Sequence, residues 1–255
     1  ADLKTFSARG VFGMSAIILG FMWQDHGWPI EMAIVAAIVA GTIGGFINGL
    51  FIVWLGVPPL IMTVATMALY RGVALGISEA RSARGFPAEF FEIGRGELWG
   101  LPHQIWALAI ATIITAIVLA RTPFGRSLYA VGNNELAARF AGIRVRRVKL
   151  AIYMLSGLMC GIAAVFFVSR VTTTRSDMGT GMELDAIAAV VLGGTSIFGG
   201  SGSIIGTLLG VILIAALKNG LLLAGYKGDA SLVMVGAVLI LAILVNNTIQ
   251  RYVRR

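Results

Sequence analysis

The stretch RTPFGRSLYAVGNNELAARFAGIRVRRVK, residues 121–149, decides how the chain is read. It carries Arg121, Arg126, Arg139, Arg144, Arg146, Arg147 and Lys149 against one acid, Glu135, and long apolar runs lie on both sides of it. In a membrane protein, short loops rich in Lys and Arg stay in the cytoplasm. This loop therefore orients everything else. Helix-forming residues from Asn134 to Phe140 predict a short surface helix, and Gly142 supplies its stop. A short cytoplasmic helix between two spans is suited to docking on a soluble partner.

Composition supports the same frame. The 255 residues are 58% hydrophobic and 13% charged, with a mean hydropathy of +0.89. Soluble globular chains carry about 25% charged residues. The deficit and the repeated apolar runs predict an all-α polytopic transmembrane helical bundle. A transmembrane barrel would show alternating strands of about 10 residues, and none is visible. The net charge of +8 reads as positive-inside asymmetry, not as a nucleic-acid surface. The lone cysteine, Cys160, lies in an apolar run, cannot form an internal disulfide, and reads as a small core residue.

A spanning helix needs roughly 20 apolar residues. Residues 11–23 fall short unless residues before Val11 join them. Residues 30–55, 57–78 (opened by Pro58-Pro59), 104–120, 150–169, 203–224 and 230–248 are long enough, while 184–192 is apolar but too short to cross alone. A polar, aromatic segment fills 79–103, a polar loop fills 170–183, and a Gly-rich one fills 193–202. The expected architecture is one transmembrane domain over 1–255, with about eight membrane segments, broken or partial ones included. With 121–149 inside, alternate crossings place the N-terminus, 193–202 and the arginine-rich tail inside, and 24–29, 79–103, 170–183 and 225–229 outside. That assignment satisfies the charge of every loop.

Gly41, Gly45 and Gly49 recur every four residues, as do Gly202, Gly206 and Gly210. Such rows let neighbouring helices approach closely. Both stretches also read Gly-Thr followed by Asn-Gly-Leu, which either reflects ordinary tight packing or hints at an internal repeat. Polar groups at membrane depth are costly unless they face water or a partner. The candidates for a solute pathway are Asn48, Thr63, Thr66, Arg71 and Asp185, with Thr195 and Ser196 in the Gly-rich segment. Arg71 is open to two readings: a guanidinium on a polar pathway, or one that snorkels or pairs with Asp185 or Glu183. Lys218 reads as snorkelling, and Asn48 also suits an interhelical hydrogen bond beside Gly45 and Gly49.

The segment GGTSIFGGSGS lacks the Gly-Lys-Ser/Thr and the preceding strand of a phosphate-binding loop. It is expected to break a helix where backbone lines a cavity. His26 and His103 have no ligand spacing around them. Trp23, Trp28, Trp54, Trp99 and Trp106 fall near span ends, as in an interfacial belt. No nucleophile, base and orienting group converge, so the chain does not read as an enzyme.

Three motifs carry a resemblance: VPPLIMTVATMALYRGVALGIS, RTPFGRSLYAVGNNELAARFAGIRV and AIAAVVLGGTSIFGGSGSIIGTLLGVILIAALKNGLLL, covering most of residues 57–224. With them the chain resembles the permease subunits of ribose-type ABC sugar importers, most closely the branch serving rhamnose or autoinducer-2-type ligands. The resemblance implies a membrane subunit in the bacterial inner membrane that pairs with a second permease, itself or a relative. It implies cytoplasmic ATPase subunits that use ATP and Mg, a periplasmic or extracellular sugar-binding protein, and no cofactor in this chain. It also implies that Asn133, Asn134, Glu135, Ala137, Ala138, Arg139 and Gly142 form the coupling helix. Related permeases carry Glu-Ala-Ala, three residues, then Gly. Ala137, Ala138 and Gly142 keep that spacing, whereas Leu136 displaces Glu135 from it. The family has further N-terminal spans and a Gly-rich acidic motif where ADLKTFSARGVFGM stands. The resemblance thus leaves a non-transporting truncated subunit as one alternative. An ion-coupled carrier or channel is the other, recognisable by uptake that responds to ionophores and not to ATP.

Overall fold

The computed structural model describes residues 5–196, 199–226, 233–238 and 240. Helices dominate them: α1 (Thr5–Gln24), α2 (Ile30–Trp54), α3 (Pro59–Ser78), α4 (Ala88–Arg95), α5 (His103–Arg121), α6 (Pro123–Asn133), α7 (Glu135–Phe140), α8 (Val145–Val171), α9 (Met182–Leu192) and α10 (Ile204–Leu223). A two-residue hairpin, β1 (Glu97–Leu98) and β2 (Leu101–Pro102), lies between α4 and α5. Among the described residues, α2, α3, α5, α8 and α10 are each long and apolar enough to cross a membrane. α5 buries none of its side chains, as expected of a helix whose apolar surface meets hydrocarbon. The last expected span, 230–248, and the arginine tail fall largely or wholly outside the described residues.

The chain divides into two compact units, one of Leu3–Ile113 and Arg144–Thr180, the other built on Ile114–Ile143 and the residues from Gly181 onward. In the first, α1 is the central helix. The expected short run at 11–23 does extend upstream, to Thr5, and Val11, Ala16, Ile17 and Leu19 are each at most 1% exposed. α2 and α8 close against each other on glycine. A Cβ on Gly45 would lie 3.0 Å from the Cα of Gly157, and one on Gly161 would lie 2.8 Å from the Cα of Ile38. No larger residue fits such a crossing. Phe12, Phe86, Phe90 and Val168 form the core beside this seam, with Phe12 and Phe167 edge to face at 5.5 Å. Cys160 packs on that core. The segment 79–103 is more ordered than its polarity suggests: α4 rests on α8 through Gly94, and Ser169 Oγ donates to the Phe90 carbonyl.

α8 starts at Val145, five residues before the expected start at Leu150, so Arg146, Arg147 and Lys149 are helical. A long helix can carry its cations into the polar boundary, and apolarity alone does not mark where it begins. Past α8 the chain doubles back along α1. Thr174 packs on Gly20, the carbonyls of Ser176 and Met178 face Gly13, Gly179 packs on Phe12, and Thr180 meets Arg9.

In the second unit, α9 and α10 cross where Gly193 meets Gly206 and Ala189 meets Gly210. Ala188, Ala189, Ile214 and Val235 form the core there. α9 has 11 residues, in keeping with the expectation that this run is too short to cross by itself. Both glycine rows thus work as close-approach surfaces, except that Gly202 precedes α10 and packs on Thr195.

Candidate functional site

The basic loop folds as two helices, where a single one over 134–140 was expected. α6 is the addition. Thr122 caps it, its Oγ1 accepting from Gly125 N–H at 3.2 Å, and Pro123 occupies the first turn, where a missing N–H costs nothing. Its N-cap Thr and first-turn Pro were the legible signals. Asn134 then turns extended (φ −154°) and caps α7, its Oδ1 accepting from Ala137 N–H at 3.0 Å. At the far end Ile143 N–H donates to the Ala138 carbonyl at 3.0 Å and Gly142 N–H to the Arg139 carbonyl at 3.1 Å. Gly142 is left-handed, φ +80°. This is a Schellman cap, and glycine adopts its C′ conformation without a Cβ penalty. The stop read at Gly142 is therefore in place.

Of the α7 residues only Ala138 is buried. Leu136 is 66% exposed and Phe140 89%. Four apart, they share one face, flanked by exposed Glu135 and Arg139. Neither was singled out from the sequence, although their spacing inside a polar loop is a usable signal. Together they give the short helix an exposed apolar pair inside an otherwise polar loop.

The loop is braced by the Gly-rich segment. Gly132 and Asn133 of α6 press on Gly199 and Gly200; a Cβ on Gly132 would lie 2.5 Å from the Gly200 nitrogen. Gly199 and Gly200 are left-handed, at φ +93° and +80°. Tyr129 Oη reaches the Gly202 carbonyl at 3.5 Å. Thr195 Oγ1 lies 3.3 Å from Thr207 Oγ1, and Ser196 N–H donates to the Ser201 carbonyl at 3.0 Å. The segment does break the helix between α9 and α10. Thr195 and Ser196 shape that break, and Asn133 locks it to α6.

Asp185, in the first turn of α9, meets Lys218 of α10 with Oδ2 to Nζ at 2.6 Å. This corrects two readings. Lys218, about four turns into α10, does not snorkel, because the Asp185 carboxylate of α9 holds it. Asp185 is engaged by Lys218 and not by Arg71. Both side chains are partly buried, 39% and 22% exposed, and a charge in such a setting is less costly when paired. The second oxygen of Asp185 is buried without a hydrogen-bond partner.

In the first unit, Tyr70 Oη donates to the Gly44 carbonyl at 2.8 Å and to Asn48 Oδ1 at 3.4 Å. Asn48 is fully buried and its Nδ2 has no partner. It thus makes the interhelical bond that was one of its two readings. Thr63 and Thr66 are buried and donate within α3, to the carbonyls of Leu60 at 3.1 Å and Met62 at 2.9 Å. Arg71 is exposed on α3 and shares a small cleft with Arg9 of α1. Tyr70 and Arg9 were both missed from the sequence: a tyrosine inside an apolar helix and an arginine near the chain start each have common bland explanations.

Comparison with known proteins identifies the family. The family model described as branched-chain amino acid transport system / permease component matches residues 3–243. The ribose import permease protein RbsC of Bacillus subtilis (strain 168) is 42% identical over 242 residues, 94% of this chain and 75% of that protein. The autoinducer 2 import system permease protein LsrD of Photorhabdus laumondii is 39% identical over 244 residues, 93% and 73% of the two chains. LsrC of Escherichia coli (strain K12 / DH10B) is 37% identical over 217 residues, 85% and 63%. No solved structure matches the chain. With five membrane-competent helices among the described residues and a match over nearly its whole length, this multi-pass membrane protein belongs to the branched-chain amino acid transport system permease-component family, whose members are transport subunits and not enzymes.

Proposed function

We propose that the chain is the membrane permease subunit of an ATP-driven importer for a small sugar or sugar-like solute, and that residues 121–149 couple it to a cytoplasmic ATPase. The observation that carries this is α7: a helix capped at both ends that exposes Leu136 and Phe140 together and is braced from behind by Gly199 and Gly200. An apolar pair beside Arg139, in a loop that carries seven basic residues and one acid, suits a cleft with a greasy floor and an acidic rim. The partner uses ATP and Mg; this chain holds no cofactor. ATP-driven closure of two ATPase subunits would carry α7 with it and swing the pathway between outward and inward access, a two-state element biased by nucleotide on one side and by the loaded sugar-binding protein on the other. The relatives named for ribose and autoinducer 2 support the substrate class. The basic character of 121–149 supports placing it, with the C-terminus, on the cytoplasmic side of the bacterial inner membrane. One permease domain over 1–255, paired with itself or a related permease, completes the assembly.

The test is co-purification of this chain with its ATPase, read by native mass spectrometry. The expected species holds two permeases and two ATPase domains. Leu136→Asp with Phe140→Asp should abolish that species while leaving the protein inserted, and Gly142→Trp should weaken it. Undiminished assembly of the Leu136/Phe140 double variant would remove α7 as the coupling element. Uptake that collapses with an ionophore at constant ATP would favour an ion-coupled carrier instead.

A further inference from the structure

The hairpin of β1 and β2 carries a residue at its tip that the turn does not ask for. Leu98 pairs with Leu101, so the turn is Trp99-Gly100, and both are left-handed, at φ +57° and +75°. A tight turn with positive φ at both positions favours Asn, Asp or Gly at the first of them. A bulky side chain is strained there. Nor does the indole serve a core. Trp99 is 88% exposed, and its ring meets Trp106 edge to face with centroids 6.1 Å apart. A residue that helps neither the turn nor the core is explained by a contact outside the chain.

The hairpin is held against α5. Trp106 Nε1 donates to the Leu98 carbonyl at 3.1 Å, and His103 N–H donates to the Gly96 carbonyl at 3.0 Å. His103 Nδ1 lies 2.8 Å from the Glu92 carbonyl. These bonds fold the tip back onto the first turn of the helix. α5 has 19 residues, or about 28 Å, against about 30 Å of hydrocarbon. Crossing takes its whole length, so its first turn stands at one membrane boundary. Trp106 lies in that turn, and Trp99, packed on it, stands at the same level. Exposed apolar side chains continue from the tip onto the helix through Leu98, Leu101, Ile105 and Leu108, and α5 has no buried side to interrupt them. From Leu98 to Trp106 there is no Lys, Arg, Asp or Glu, so nothing in this surface selects a charged partner. An indole, apolar in body with one N–H donor, suits the boundary between acyl chains and headgroups.

We infer that the 97–102 hairpin is an interfacial anchor, with Trp99, Leu98 and Leu101 seated in the leaflet where α5 begins, and that its partner is the lipid surface whatever the headgroup charge. The sequence places Trp99 near a span end; the hairpin that folds it back onto that span is what the structure adds. The inference rests on α5 as a membrane span and not on the permease reading. In a Cys160→Ala background, Leu101→Cys carries a nitroxide, and the full chain is reconstituted in phosphatidylcholine vesicles with and without phosphatidylglycerol. Power saturation reads the exposure of the label to oxygen, which concentrates in the bilayer, against a neutral, water-soluble nickel chelate. Oxygen should dominate in both lipids. Trp99→Asn, which relieves the left-handed strain, should shift the ratio several-fold towards nickel, and Trp99→Phe should keep most of the oxygen preference. Nickel dominance in the parent protein, a ratio unchanged by Trp99→Asn, or one that moves only when the sugar-binding partner is added would overturn the anchor, the last in favour of a protein contact. The reading in the parent protein decides the matter even where a Trp99 variant does not fold.

Discussion

The seam between α2 and α8 and the seam between α9 and α10 use the same device for different ends. Both cross on small residues: Gly41, Gly45, Gly157 and Gly161 in the first, Ala189, Gly193, Gly206 and Gly210 in the second. The first joins helices of 25 and 27 residues, and α2 buries a side-chain amide, Asn48, where it meets Tyr70 of α3. The second joins an 11-residue helix to a 20-residue one and carries a charged pair, Asp185 and Lys218. Close backbone approach is thus a general way of bringing helices together where apolar burial gives no drive. What is set beside the seam decides its use. A long seam of glycine is a fixed strut. A short seam with a charge pair is held by electrostatics as well as by packing.

Substitution can break that contrast. Gly45→Leu should be the most damaging change, costing about 3 kcal/mol or preventing folding, because overpacking meets glycine backbone along two long helices. Gly206→Leu should cost less, about 1–2 kcal/mol, since the short α9 can shift. Thermal unfolding in detergent, followed by size exclusion, reads both; equal losses would erase the distinction. Lys218→Met should cost about 1–2 kcal/mol, between the exposed and buried limits for an ion pair, as the side chains are 39% and 22% exposed. Lys218→Met with Asp185→Leu should recover most of that loss. A double variant as unstable as the two singles summed would show that the residues act separately. Asn48→Leu should have the smallest effect, about 0.6 kcal/mol, because Tyr70 keeps its bond to the Gly44 carbonyl.

What the sequence conveyed follows the same division. Rows of glycine at fixed spacing read correctly as crossings, because a missing side chain has one steric meaning at depth. The cap at Gly142 and the break at 193–202 read correctly, because chain punctuation is local. The partners of Lys218 and Asn48 did not read as well. A cation near a helix end suits either lipid headgroups or a carboxylate 33 residues away, and only packing chooses. The course of 172–180 along α1 was not legible at all. Polar residues predict a loop, and nothing local says whether a loop runs outward or back along a neighbouring helix. Leu136 and Phe140 were visible but were passed over, since single apolar residues in a basic loop carry no signal until their shared face is considered.

The start of α8 has one more consequence. Arg146 and Arg147 sit in its first turn, with no acid there and no side-chain cap from Arg144. The amino end of a helix already bears a partial positive charge, so each cation is unfavourable by about 0.3–1 kcal/mol at low salt. A bilayer with anionic headgroups supplies the missing counter-charge, worth about 1 kcal/mol per basic residue near the surface. The lipid leaflet then acts as the cap that the polypeptide omits. Amide exchange over residues 145–149 should speed up when phosphatidylglycerol is replaced by phosphatidylcholine, while exchange at the α2–α8 crossing stays unchanged. A helix that ends in its solvent in this way reports the charge of its membrane.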